Sequence, residues 1–111
     1  MKPEKAFETK VKDYLNSRGA YVVKHFANMF TQSGVPDLLV TIHGCFVGVE
    51  IKATHGKPSA LQRHHIDKIR KSGGIAIVLY PEQFEQFKEL IDLVSIKHFI
   101  RAYVKQFDFD K

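Results

Sequence analysis

Apolar residues recur at helical spacing from Phe7 through Val11 to Leu15, with Tyr14 beside them, and Pro3 suits a first helical turn. Gly19 stops the pattern, which predicts a helix over residues 3–18. Tyr21-Val22-Val23-Lys24-His25-Phe26 is aromatic and β-branched and reads as a strand, and a loop of small polar residues follows from Asn28 to Pro36. Leu38 to Ile42 and Phe46 to Ile51, joined by His43-Gly44, predict a hairpin. After the polar loop Thr54 to Pro58, Ser59 predicts the N-cap of a helix reaching about Ser72 and closed by Gly73-Gly74. The unbroken apolar run Ile75 to Leu79 predicts a strand covered on both faces and, after a helical crossover, parallel to its partner. Residues 81–94 carry Phe84, Phe87, Ile91 and Val94 on one helical stripe, and Ile96, Phe99, Ile100, Tyr103 and Phe107 predict a helical tail.

The order α-β-β-β-α-β-α defines an α/β domain with a mixed sheet flanked by helices. A chain of 111 residues that is 44% hydrophobic fills one modest core and leaves no room for a second domain. One cysteine, Cys45, rules out an internal disulfide, and no apolar run reaches the roughly 18 residues that a membrane span needs. The start of the chain lacks the apolar segment of a secretory signal, so the expected location is the cytoplasm. Seventeen Lys and Arg against twelve Asp and Glu give +5, which favours a polyanionic partner but is also common in proteins that never touch nucleic acid.

The hairpin carries the chemistry. Side chains alternate along a strand, so Gly48, Glu50 and Lys52 share one face and Val47, Val49 and Ile51 the other. Such alternation is also what the wet side of an edge strand looks like. Gly48 argues against that, because a glycine inside a strand costs stability and marks a close approach, for which a ligand backbone is the expected visitor. Pro36 biases Val35 toward extended backbone and presents Asp37 at the start of its strand. Counted outward from His43-Gly44, Asp37 and Glu50 lie at similar distances and face each other across neighbouring strands. Two facing carboxylates repel unless a cation joins them. Asp37, Glu50 and the backbone carbonyl of Ile51 form the oxygen set that Mg²⁺ or Mn²⁺ prefers. Lys52 then reaches a phosphate or the metal-bound water, either stabilising phosphorane charge or orienting the nucleophile. Alanine would lose both roles, and arginine would not reproduce a compact ammonium.

Two more polar residues fall on arcs that a structural plan would keep apolar. Glu8 lies beside the Phe7, Val11, Leu15 stripe, although an exposed first-turn acid favoured by the helix dipole is the plainer alternative, and Glu4 is its rival. Gln62 shares the inward arc of the second helix with Leu61, His65 and Ile69, so its amide must bond either the backbone or the site, and the site is the preferred expectation. The six histidines have no zinc-binding spacing. Lys24, Lys57, Arg63 and His64 are candidates to flank a groove for a phosphate backbone, although the helical ones equally describe a solvated face.

Gly-Val-Pro-Asp-Leu-Leu-Val (34–40), Gly-Val-Glu-Ile-Lys-Ala (48–53) and Gly-Lys-Pro-Ser-Ala-Leu-Gln (56–62), with a helix closed by Gly-Gly, resemble the VRR-NUC (virus-type replication-repair nuclease) branch of the PD-(D/E)xK superfamily over about residues 4–80. The resemblance implies a restriction-endonuclease-like core over residues 1–95, an extension over 96–111, and a Mg²⁺- or Mn²⁺-dependent endonuclease. Asp37 and Glu50 would be metal ligands, Lys52 catalytic, Glu8 the helix-1 acid and Gln62 the glutamine after the core strands. Glu8, eleven residues before Gly19, is also where the related archaeal Holliday-junction resolvases carry their helix-1 acid. Many relatives have Ser-Pro-Glu-Gln where this chain has Ser59-Ala60-Leu61-Gln62, so that glutamate's role is missing. Stand-alone members resemble phage-encoded enzymes of a bacterial cytoplasm. They imply a homodimer on branched DNA, since one site cuts one strand, with the 96–111 tail as candidate dimer contact. The competing class is a non-catalytic nucleic-acid-binding or assembly module that retains the fold.

Overall fold

The computed structural model describes residues 2–26 and 33–94. The expected elements form close to their predicted bounds: α1 (Pro3–Ser17), β1 (Tyr21–Lys24), β2 (Leu38–Ile42), β3 (Cys45–Ile51), α2 (Ala60–Lys71), β4 (Ile75–Leu79) and α3 (Phe84–Val94), the last entered through a 3-10 turn at Pro81–Gln83. The predicted helical tail, part of the 28–36 loop and the dimer contact assigned to residues 96–111 lie outside the described residues. No helix of the described residues is long and apolar enough to cross a membrane.

The sheet runs β1-β2-β3-β4, with β1 and β2 antiparallel, β2 and β3 antiparallel, and β4 parallel to β3. The β2–β3 turn is made by His43 and Gly44, both at positive φ (49° and 80°). This is the backbone that a two-residue hairpin needs to match the strands' own twist. It fixes the register as Leu38 opposite Val49 and Ile42 opposite Cys45.

One face of the sheet presents Leu38, Val40, Ile42, Val47, Val49 and Ile51 to Phe7, Val11 and Leu15 of α1 and to Phe84, Phe87 and Ile91 of α3. Each such side chain, fully buried, contributes roughly 1.5–3 kcal/mol of transfer free energy. The other face takes α2, whose Ile66 is buried and whose Ile69 approaches Gly48.

Three expectations change. The strand covered on both faces is β3, not β4: β4 is a sheet edge whose Ile75, Ile77 and Val78 are only half-buried. On α2 the buried residue is Ile66, while Leu61 is exposed. Gly48 is not the approach path of a ligand, because a Cβ there would stand 3.1 Å from Pro36 Cγ and 3.3 Å from Ile69 Cδ1. Its missing side chain lets α2 and the Pro36 ring close on the sheet.

Candidate active site

The hairpin register carried one step outward from Leu38 and Val49 sets Asp37 against Glu50. They meet at the end of the sheet where β2 begins and β3 finishes. Glu50 is not on a wet face. It is 2% exposed, under α2, and its Oε1 is buried without a hydrogen-bond partner. Its other oxygen lies 3.4 Å from Lys52 Nζ. Burial first, and then the negative charge of Asp37, push the Glu50 carboxyl up to about 7, against the opposing pull of Lys52.

Asp37 is half-buried, and its Oδ2 accepts a 2.8 Å hydrogen bond from the Ile51 backbone N–H. A residue of an extended strand sends its N–H and C=O to the same side. Lys52 N–H bonds Leu79 on β4 (3.1 Å), so Ile51, one residue earlier, turns both its groups toward Asp37.

Glu8 arrives from α1. It is 6% exposed, so the reading that kept it off the solvent face holds and the exposed first-turn alternative does not. Rival Glu4 is exposed. Glu8 Oε1 lies 2.6 Å from Lys24 Nζ, and Oε2 lies 3.7 Å from Lys12 Nζ. Lys24 also stands 3.5 Å from Asp37 Oδ1. It projects inward because it pairs with Leu38, a core residue, and so shares the α1 face of the sheet. Burial lowers the Lys24 pKa, but its hydrogen bond to Glu8 and the charge of Asp37 outweigh that and hold it above the usual lysine value. Lys24 was expected to flank a groove and is instead inside the carboxylate cluster. Its position was legible in the alternation of β1, where Val22 and Lys24 alternate with exposed Tyr21 and Val23. What alternation could not supply was its partner, which comes from another element. Lys12 was missed too, although it lies one helical turn after Glu8.

Gln62 does not turn to the site. Its Oε1 accepts from Ser59 N–H (2.8 Å) while Gln62 N–H donates to Ser59 Oγ (3.1 Å), a capping box that engages the amide oxygen locally. Of the two partners left open for this amide, the backbone takes it. Arg63 and His64 are exposed on α2, and Lys57 is exposed in a loop fastened by the Tyr80 hydroxyl donating to Gly56 C=O (2.8 Å). A shallow pocket of about 200 Å³ opens beside the cluster, lined by Lys2, Glu4, Lys5, Glu8, Lys24 and Asp37. A separate cavity of about 590 Å³ at the other end of β3 is lined by residues such as Phe46, Ile69, Ile75 and Leu93, with no charged side chain among the described residues that line it.

Glu50 Oε1 decides whether these residues suit a divalent cation. A carboxyl oxygen buried without a donor beside a second carboxylate is a poor place for a charge until a cation arrives, and a good ligand once one does. Among the described residues no three His, Cys, Asp or Glu side chains converge as a ready cage. The groups placed to hold one are Asp37, Glu50 and the Ile51 carbonyl, which would leave the remaining positions to water and phosphate. That set suits Mg²⁺, which keeps several waters and takes one or two carboxylates plus substrate oxygens.

A four-stranded mixed sheet between helices, with Asp and Glu-x-Lys on adjacent strands at one sheet end, defines the PD-(D/E)xK class of nucleases. The family model of the archaeal Holliday junction resolvases (hjc) matches residues 2–97, and the chain belongs to that family. No curated protein matches it.

Proposed function

We propose that the chain is a divalent-metal-dependent endonuclease that hydrolyses phosphodiester bonds of branched DNA, four-way junctions first among them. The observation that carries this is the buried, donorless Oε1 of Glu50 opposite Asp37. Family membership supports branched DNA as the substrate. The motifs at 34–40, 48–53 and 56–62 support the finer likeness to the VRR-NUC branch. Mg²⁺ or Mn²⁺ fits the donor set, and the setting proposed for the activity is the cytoplasm of a bacterial cell, with the enzyme encoded by the host or by a phage.

Asp37, Glu50 and the Ile51 carbonyl would hold the metal, which when bound polarises the scissile phosphate and activates water. Lys52, tied to Glu50, presents its ammonium to the non-bridging oxygens, where negative charge grows as the phosphorane forms. The Ile51 N–H keeps Asp37 Oδ2 engaged and so orients that carboxylate before substrate arrives. Gln62 acts through the helix it caps rather than on the phosphate. Lys57, Arg63 and His64, all exposed, are available to the DNA backbone.

Symmetric cleavage of a junction needs two copies. Val94, the last described residue of α3, lines the apolar cavity with Leu93, and Ile96, Phe99 and Ile100 follow in sequence. This supports residues 96–111 as a dimer contact separate from the 1–95 nuclease domain. Sedimentation of a chain ending at Val94 should give monomers, and an undiminished dimer would refute that role. For the activity, labelled junction, flap and duplex DNA are incubated with Mn²⁺ or with EDTA. Cleavage of the junction ahead of the others, abolished by EDTA, is the expected result. No cleavage of any substrate, or cleavage indifferent to EDTA, would refute the proposed function.

A further inference from the structure

The three carboxylates of the cluster are not equivalent. Glu8 has a lysine on each oxygen, Lys24 at 2.6 Å and Lys12 at 3.7 Å. Asp37 has Oδ2 on the Ile51 N–H and Oδ1 at 3.5 Å from Lys24. Glu50 has one oxygen at 3.4 Å from Lys52 and one with no partner. Positive charge is therefore already present between Glu8 and Asp37. Between Asp37 and Glu50 it is missing.

We infer that Lys24 is a resident cation: it fills the position a second metal ion would take between Glu8 and Asp37, so that each site binds a single divalent ion at Asp37 and Glu50. Glu8 is then a positioning residue, which holds the Lys24 ammonium against Asp37 rather than ligating metal. An ammonium and a divalent ion cannot share one pair of carboxylates, and the tethered one is always present. Lys24 is also well held. It comes from a paired strand position, it is largely covered, and its ammonium contacts one acid on α1 and another just before β2. A lysine there brings one fixed charge where a two-metal site would bring a second ion able to clamp the leaving oxygen.

This rests on the nuclease reading of Asp37 and Glu50, and the experiment separates the two. Mn²⁺ alone is titrated into the full chain by calorimetry and followed by the electron paramagnetic resonance of bound Mn²⁺. Wild type should take one ion per chain, with the spectrum of an isolated ion. Lys24→Met, which keeps length and loses charge, should take two, with the spin coupling of neighbouring ions roughly 4 Å apart. Lys24→Arg should still take one. Glu8→Gln should leave the affinity of the single ion within about threefold, whereas Glu50→Gln should lower it by about 100-fold or more. Two ions in wild type, one ion in folded Lys24→Met, or a Glu8→Gln loss equal to that of Glu50→Gln would each overturn the inference. Should Lys24→Met not fold, the wild-type stoichiometry and the Glu8→Gln affinity still decide it. Unchanged Mn²⁺ binding in both Asp37→Asn and Glu50→Gln would instead overturn the nuclease-site reading itself.

Discussion

Glu50 is where sequence, burial and chemistry meet. Its carboxyl is raised from 4.5 to about 7 by burial first and by Asp37 second. A raised carboxyl pKa stabilises the fold fully below the unfolded value and loses that contribution as pH rises through the folded value. The metal-free protein should therefore weaken between about pH 4.5 and pH 7, by about 3 kcal/mol for a shift of this size. Urea unfolding across that window measures it, and Glu50→Gln, neutral at every pH, should flatten the dependence; an equal slope in both proteins would contradict the account. The same shift means that metal uptake below pH 7 releases a proton. Asp37 and Glu50 were legible in the sequence because a two-residue turn fixes a register that can be counted. Glu8 was legible because helical periodicity left it beside an apolar stripe. The contacts of Lys24 were not, since its partners are Glu8 on α1 and Asp37 just before β2, and strand alternation reports a face, never a neighbour on another element. Gln62 was legible as an amide in need of a bond, but choosing between backbone and site required the capping box itself.

The elements were legible to within a few residues, because apolar spacing and turn chemistry agree along the chain. What periodicity could not assign was layer. Glu50 and Lys52 alternate with Val49 and Ile51 as an edge strand's polar face would, yet β3 is covered on both sides once α2 packs down. Gly48 is the contact that permits this. Gly48→Val would press Cβ and two methyls into Pro36 and Ile69, which already stand 3.1 and 3.3 Å from the Cβ position alone. Overpacking of this kind costs about 1–3 kcal/mol. Urea denaturation should show that loss, and cleavage should fall as well, because Pro36 directly precedes Asp37; an unchanged midpoint would show that α2 does not need this close seat.

At the scale of the molecule, α1 and α3 cover one face of the sheet, α2 covers the other, and the reactive groups gather where the sheet ends. Chemistry and bulk apolar surface are thereby separated: the carboxylates lie at one end of β3 and the uncharged cavity at the other. A net charge of +5 lets the protein approach a polyanion, but three ammoniums are spent inside the cluster on Glu8, Asp37 and Glu50. DNA binding and DNA cleavage should thus depend on different residues, and the most direct measurement keeps them apart. Wild type and Glu50→Gln are each bound to a labelled four-way junction in Ca²⁺ or EDTA and then given Mg²⁺. Binding should agree within about threefold for the two proteins, and the cleavage rate should be at least about 100-fold lower for Glu50→Gln. Equal cleavage by both would contradict it.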